Sequence, residues 1–255
     1  MPAQYLPLRC RGREKLRYLL LFSLIGCYLG DLEVLGIHRL DIYRSCNIGI
    51  FTKANDNFVL VPLGMASTKT EQLSNFLGAK AVSISIGGSR LLGPLIAMNS
   101  KGILVSKLAD NMEIEALRNE TGLRVERLES KFTCVGNLVA VNDNGAVISS
   151  AFSRETAAMV SETLGVPVRH LSVAQYIQAG SMVAASNSGA IVHPAGTEWE
   201  IKQIMDTLKV DAEACTVNNG VPYISSGIIL NGKAAVVGGL TSGPELMILS
   251  RALKL

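Results

Sequence analysis

The chain has 255 residues, 48% of them apolar and only 18% charged, which fits a well-buried domain with a charge-poor surface. Without the five basic and three acidic residues of 1–36, 19 Lys/Arg face 18 Asp/Glu, so the remainder is nearly neutral and lacks the basic stripe that grips phosphate backbones. Five cysteines, Cys10, Cys27, Cys46, Cys134 and Cys215, are odd in number and show no CxxC spacing, which excludes an obvious disulfide framework or zinc site and reads as reduced thiols of a cytosolic protein.

Residues 1–36 stand outside the pattern that follows. Arg9, Arg11, Arg13, Lys15 and Arg17 precede Tyr18-Leu-Leu-Leu-Phe-Ser-Leu-Ile-Gly-Cys-Tyr-Leu29, a basic stretch ahead of an apolar run. That run is too short to span a bilayer and no Ala-x-Ala site follows it, which argues against export. Two other readings are an amphipathic tail docked on the main domain and, the one we favour, an over-extended start whose true position is near Val34 to Ile37.

From residue 47 the chain repeats itself five times. A diverged copy opens at Gly49-Ile-Phe-Thr-Lys-Ala-Asn55 and ends at Val61. Clearer copies follow as Gly93-Pro-Leu-Ile-Ala-Met-Asn99-Ser-Lys-Gly102, Gly136-Asn-Leu-Val-Ala-Val-Asn142-Asp-Asn-Gly145, Gly180-Ser-Met-Val-Ala-Ala-Ser-Asn187-Ser-Gly189 and Gly227-Ile-Ile-Leu-Asn231-Gly232. The leading glycines recur every 43 to 47 positions, a period typical of architectures built from one supersecondary unit. The expected units lie near 47–90, 91–133, 134–176, 177–223 and 224–255.

Within each unit, two apolar runs around an Asn/Gly turn predict a hairpin whose turn uses positive φ. A helix follows: Asp110 with Glu113 and Thr197 with Glu200 have capping-box spacing, Ser153 precedes Arg-Glu-Thr, and Pro244 suits a first helical turn. Leu123–Leu128 and Val166–His170 then read as third strands. Such a unit cannot bury its hairpin face alone, so neighbours share a core, and closure leaves no unpaired end. The expectation is one domain over 37–255, a five-unit α/β propeller with helices outside and short strands around a central axis, the strand near Ile48 pairing beside the last unit. Two unrelated α/β domains would leave the common phase of turns and caps unexplained.

Catalytic signals are weak. His38, His170 and His193 form no metal or nucleophile motif, and His193, in Val192-His-Pro-Ala-Gly-Thr197, reads as a loop residue. Gly87-Gly88-Ser89-Arg90 lacks the lysine and the strand-to-helix setting of a phosphate loop and reads as a tight turn. Cys134 and Cys215 read as small buried hydrophobes.

Ile86-Gly-Gly-Ser89, Val135-Gly136-Asn137-Leu138, Asn142-Asp143-Asn-Gly145-Ala146, Val192-His193-Pro194, Thr216-Val-Asn-Asn-Gly220 and above all Val237-Gly-Gly-Leu-Thr-Ser-Gly-Pro-Glu-Leu-Met-Ile-Leu249 resemble the archaeal members of the translation initiation factor 6 family, in order from about Ile37 to Leu255. The resemblance implies the pentein fold, which is a five-unit α/β propeller. It also implies a cytoplasmic, monomeric anti-association factor with no cofactor and no membrane contact. Its partner is the large ribosomal subunit, bound on the intersubunit face at a ribosomal protein near the sarcin–ricin loop with at most minor rRNA contact. The same fold hosts guanidine-modifying enzymes, but these need a nucleophilic Cys with His and carboxylates in the channel, and no late cysteine precedes Leu255. A ring that binds some non-ribosomal protein is the other alternative.

No catalytic or metal-binding residue is therefore expected. A binding rim is expected at Arg90, Pro94, Asn137, Ser181, Met182, Tyr223 and Ile228, where Pro94, Asn137, Ser181 and Ile228 each follow a leading glycine. By the resemblance Asn137 matches a ribosome-facing position, whereas Pro94 departs from the basic residue of eukaryotic members, which argues against a charged contact there. Phe132, Tyr176 and Tyr223, each four residues before a leading glycine, either present aromatics at the rim or act as pegs between units. For the tail, mass spectrometry of the native protein is expected to find an N-terminus near residues 34–37. A native peptide containing Tyr18 to Leu29 contradicts the over-extended start.

Overall fold

The computed structural model describes residues 36–255, and the readings of the preceding tail lie outside the described residues. Strand β1 (Ile37–Arg39) leads to a 3-10 turn at Ile48–Ile50, then β2 (Lys53–Ala54), β3 (Phe58–Pro62), helix α1 (Ser67–Leu77) and β4 (Lys80–Ile84). The second unit is α2 (Leu92–Leu95), β5 (Ile96–Met98), β6 (Gly102–Ser106), α3 (Asn111–Thr121) and β7 (Arg124–Leu128). The third is α4 (Val135–Leu138), β8 (Val139–Val141), β9 (Ala146–Ser149), α5 (Arg154–Leu164) and β10 (Val168–Leu171). The fourth is α6 (Ala179–Met182), β11 (Val183–Ala185), β12 (Ala190–Val192), α7 (Glu198–Leu208) and β13 (Ala212–Ala214). The fifth is α8 (Ile224–Gly227), β14 (Ile228–Leu230), β15 (Ala235–Val237) and α9 (Gly243–Leu253).

In each unit the first strand is antiparallel to the second and the third runs parallel to the second, giving five three-stranded sheets. The fifth sheet takes its third strand from β1, with Ile37 opposite Ala235. The ring therefore closes through Ile37–Arg39, and the expected pairing of a strand near Ile48 is corrected: that segment is a turn of 3-10 helix. The five-unit pseudo-symmetric α/β fold itself is as expected.

No unit owns a core. Leu60, Val82 and Ile84 of the first unit pack with Ile103, Val105 and Leu117 of the second, and Ile229 and Val236 of the fifth pack with Val59, Leu73 and Leu77 of the first. An isolated unit would expose half of each cluster to water, so the units stand or fall together. Outside the core, each third strand meets the next unit's long helix. Lys80 pairs with Glu120 at 2.9 Å, Arg124 with Glu162 at 2.9 Å, Arg169 with Gln203 at 2.6 Å and Glu213 with Arg251 at 2.8 Å, while His38 stacks on Phe76 at 4.1 Å. These seams are exposed, so each ion pair contributes at most about 1 kcal/mol.

The hairpin turns correct the expected use of asparagine and glycine. None of Asn55, Asn99, Asn142, Asn231, Gly102 or Gly145 has positive φ. The asparagine works through its side chain instead. Asn142 Oδ1 accepts from the backbone N–H of Asn144 and Gly145, and its Nδ2 donates to Ser186 O at 3.0 Å and Leu208 O at 2.8 Å in the next unit. Asn99 bonds Asn142 O and Leu164 O, Asn55 bonds Asn99 O, and Asn231 bonds Asn55 O and Leu77 O. The chain of amides thus runs around the axis, and Asn99, Asn142 and Asn231 also tie their turns to the last carbonyl of the neighbouring helix, a group the helix itself leaves without a partner. The glycine after it leaves room for that helix end: a Cβ on Gly102 would stand 2.1 Å from Thr163 O. The fourth unit breaks the chain of amides, because Ser186 holds the asparagine position and Asn187 the next one. Asn187 Nδ2 instead bridges the carboxylates of Asp56 and Asp143, at 2.7 Å each.

At the opposite end of the units, glutamates three residues into the long helices hold the turn that leads into their own unit. Glu113 accepts from Gly87 N at 2.7 Å, Gly88 N at 3.1 Å and Ser85 Oγ at 2.7 Å while completing its capping box with Asp110. Glu245 does the same for Asn219 N, Gly220 N and Thr216 Oγ1, and Glu200 for Ala174 N. The third unit has Thr156 at this helix position, and no bridge pairs residues across its lead-in segment. Burial raises the Glu245 carboxyl, but the hydrogen bonds from Thr216, Ser242 and Gly220 outweigh it and hold the group at about 2.

Two stability outcomes follow from these contacts. Asn142→Ala removes both side-chain donations, leaving Ser186 O unpaired and Leu208 O with only the longer bond from Asn144 Nδ2 at 3.3 Å, and is expected to cost on the order of 2 kcal/mol in denaturant unfolding, whereas Ser186→Asn supplies the missing amide and is expected to gain about 1 kcal/mol; a neutral Asn142→Ala would contradict the role of the amides. Because the Glu245 carboxyl sits lower in the folded chain than the usual value near 4.3, its contribution is complete above that value and disappears as pH falls toward 2. Melting temperature should therefore drop between pH 5 and pH 2, with a shallower drop in Glu245→Gln; identical pH slopes would refute this.

Candidate functional site at the mouth of the axis

The short helical turns that open each unit meet around the axis at one end of the ring, and the asparagine turns meet at the other. At the first end the approach is backbone to backbone. A Cβ on Gly93 would lie 1.8 Å from Gly49 O, and one on Gly136 2.0 Å from Gly93 O. Glycine alone fits at these closest approaches. In the fifth unit the matching residue is Ser225, whose Oγ donates to Gly180 O at 2.5 Å and Val183 O at 3.0 Å.

That register corrects the rim. Counted to Ser225 rather than Gly227, the unit starts recur every 43 to 45 residues, and the residue after the leading position in the fifth unit is Ser226. Ile228 is the first residue of β14, 4% exposed and opposite Val237, in the core rather than on the rim. Pro94, Asn137, Ser181, Met182 and Tyr223 do come together, lining a cavity of about 560 Å³ at the mouth. Met182 packs into the fourth unit's core and is only 2% exposed. Arg90 is exposed beside the mouth, its guanidinium 6.0 Å from the centre of the Tyr43 ring. Lys53, Asn47 and Gln178 also line the cavity and were not anticipated; only an alignment of all five units on the turn preceding each first strand would have marked them.

The aromatics divide. Phe132 packs against Phe152 at 6.1 Å and lies partly buried on the third core, which makes it a peg. Tyr176 and Tyr223 are 43% and 44% exposed and meet edge to face at 6.4 Å, with His193 behind both at 5.8 and 6.3 Å. His193 Nδ1 accepts from Ala195 N at 3.1 Å, and burial, partly offset by Glu200, lowers its pKa. It is a loop-fixing residue. Gly87 and Gly88 form the expected tight turn, φ +59° and +70°, and their N–H groups are already occupied by Glu113. Cys215 is buried with its thiol pushed up by burial, while Cys134 is only half-buried, against the expectation that both are core residues.

The second strands and third strands both end on this face, and so do the loops after them. Tyr43, Leu63, Leu91, Leu108, Met112, Tyr176, Trp199, Tyr223 and Leu240 lie in those loops or in first helical turns, and they are nine of the ten large apolar side chains exposed among the described residues. A face studded with apolar and aromatic groups around neutral amides and hydroxyls can pack against a protein surface. Among the described residues no three His, Cys, Asp or Glu side chains are grouped to hold a metal ion.

Comparison with known proteins gives the family. The family model described as the eIF-6 family matches residues 37–252. The chain is 43% identical over 216 residues to translation initiation factor 6 of Nitrosopumilus maritimus, covering 85% of this chain and 98% of that protein. It is 39% identical to the Cenarchaeum symbiosum protein of the same name, with the same coverage, and 35% identical over 222 residues to that of Thermococcus onnurineus, covering 85% and 97%. With the family model spanning most of the ring and archaeal relatives matched along nearly their whole length, the chain belongs to the eIF-6 family.

Proposed function

We propose that this protein is a cytoplasmic translation initiation factor that binds the large ribosomal subunit through the glycine end of the ring and holds off the small subunit by steric exclusion. The observation that carries the proposal is the gathering of nearly all exposed large apolar side chains on that end, in a chain whose relatives are named translation initiation factor 6. The near balance of basic and acidic residues favours a ribosomal protein as the main contact, with rRNA touched little. In this reading the protein acts as a monomer and without a catalytic step; the backbone bond to His193 and the buried, raised Cys215 thiol support the second point. Asn137, Ser181, Ser226 and the Tyr176–Tyr223 pair are the proposed contacts, with Arg90 at the edge; Ile228 has no part.

The protein should co-sediment with isolated large subunits, ignore small subunits, and suppress joined ribosomes in a sucrose gradient. Its affinity should fall only modestly with salt. Asn137→Glu should weaken binding by on the order of 2 kcal/mol without changing the melting temperature, because the side chain lies outside the shared cores. Undiminished subunit joining in the presence of wild-type protein would overturn the proposal.

A further inference from the structure

The mouth cavity holds a charge that nothing around it balances. Lys53 lies in β2 opposite Leu60, and the residues at the same place in the other units are Ala97, Ala140, Ala184 and Ile229, all buried and apolar. Lys53 lines both the mouth cavity of about 560 Å³ and the narrower space beneath it, and no other charged residue lines either. Among the described residues nothing accepts a hydrogen bond from its Nζ or pairs with it. Burial lowers its pKa to about 8, so at neutral pH it is still mainly an ammonium ion. A half-buried ammonium without a counter-charge is unfavourable and attracts an anion. Neutral donors stand on the wall above it: the amides of Asn47 and Asn137 and the hydroxyls of Ser181, Ser226, Tyr176 and Tyr223.

We propose that the axial cavity binds a small molecule bearing one anionic group, a carboxylate or a phosphate, which meets Lys53 while the wall amides and hydroxyls hold its neutral part. The volume lies within the range of ordinary small-molecule sites. The inference rests on the cavity and its unpaired ammonium, and stands whether or not the ring binds ribosomes.

The test uses the full chain. Thermal unfolding of wild type and Lys53→Met is compared in sodium phosphate, sodium acetate and sodium chloride at matched ionic strength. Phosphate or acetate should raise the wild-type melting temperature above its value in chloride, by about 4 °C at ten times the dissociation constant, and the more effective anion identifies the group preferred. Lys53→Met should lose that excess and, with the unpaired charge gone, melt higher than wild type in chloride. Equal shifts in both proteins, or no excess over chloride, would overturn the proposal. If the variant does not fold, the Lys53 ¹³Cε resonance of wild type decides: a saturable shift on adding the effective anion supports the site, and an unmoved resonance removes it.

Discussion

Backbone-to-backbone contact at the axis governs this ring. Five short helical turns can touch there only because Gly49, Gly93, Gly136 and Gly180 carry no Cβ, and because Ser225 turns its hydroxyl into a hydrogen bond with the neighbouring carbonyls. Once the turns touch, the first strands line the axis, the hairpins face neighbouring units, and every apolar cluster is shared. At the far end the asparagine amides repeat the logic with polar chemistry, joining three of the turns to the next unit's helix end.

The two ends consequently differ in what they leave available. The asparagine end satisfies itself: its amides, Asp56, Asp143 and the ammonium groups of Lys101 and Lys233 are all spent on neighbouring carbonyls, amides or N–H groups. The glycine end satisfies its backbone through Glu113, Glu200 and Glu245 and turns side chains outward. Exposed tyrosines, leucines and Trp199 there have no structural duty that explains their exposure, which is why the binding role is assigned to that end.

Much of this was legible in the residues. Capping at Asp110, Thr197 and Ser153, the third strands after the helices, and the sharing of cores all follow from local pattern and from the arithmetic of a unit too small to bury its own face. The unread features are those in which one residue type serves an unexpected end. Asn142 looked like a turn former because of its backbone tolerance, yet its amide reaches a unit 44 residues on. Gly227 looked like the leading glycine of the fifth unit, but Ser225 has that place, its hydroxyl bonded to Gly180 O and Val183 O of the neighbouring unit, and the slip carried Ile228 onto a rim where it does not belong. Closure through Ile37–Arg39 had no local signature, since a three-residue strand takes its identity from its partner β15.

The central claim is that the glycine end is the binding face, and hydroxyl-radical footprinting of the protein free and bound to large subunits addresses it directly. Binding is expected to protect Tyr43, Tyr176, Trp199 and Tyr223 while leaving Met247, on the outer side of α9, as reactive as in the free protein. Protection of Met247 with those four aromatics still reactive would show that another surface makes the contact, and the assignment of the face would be wrong.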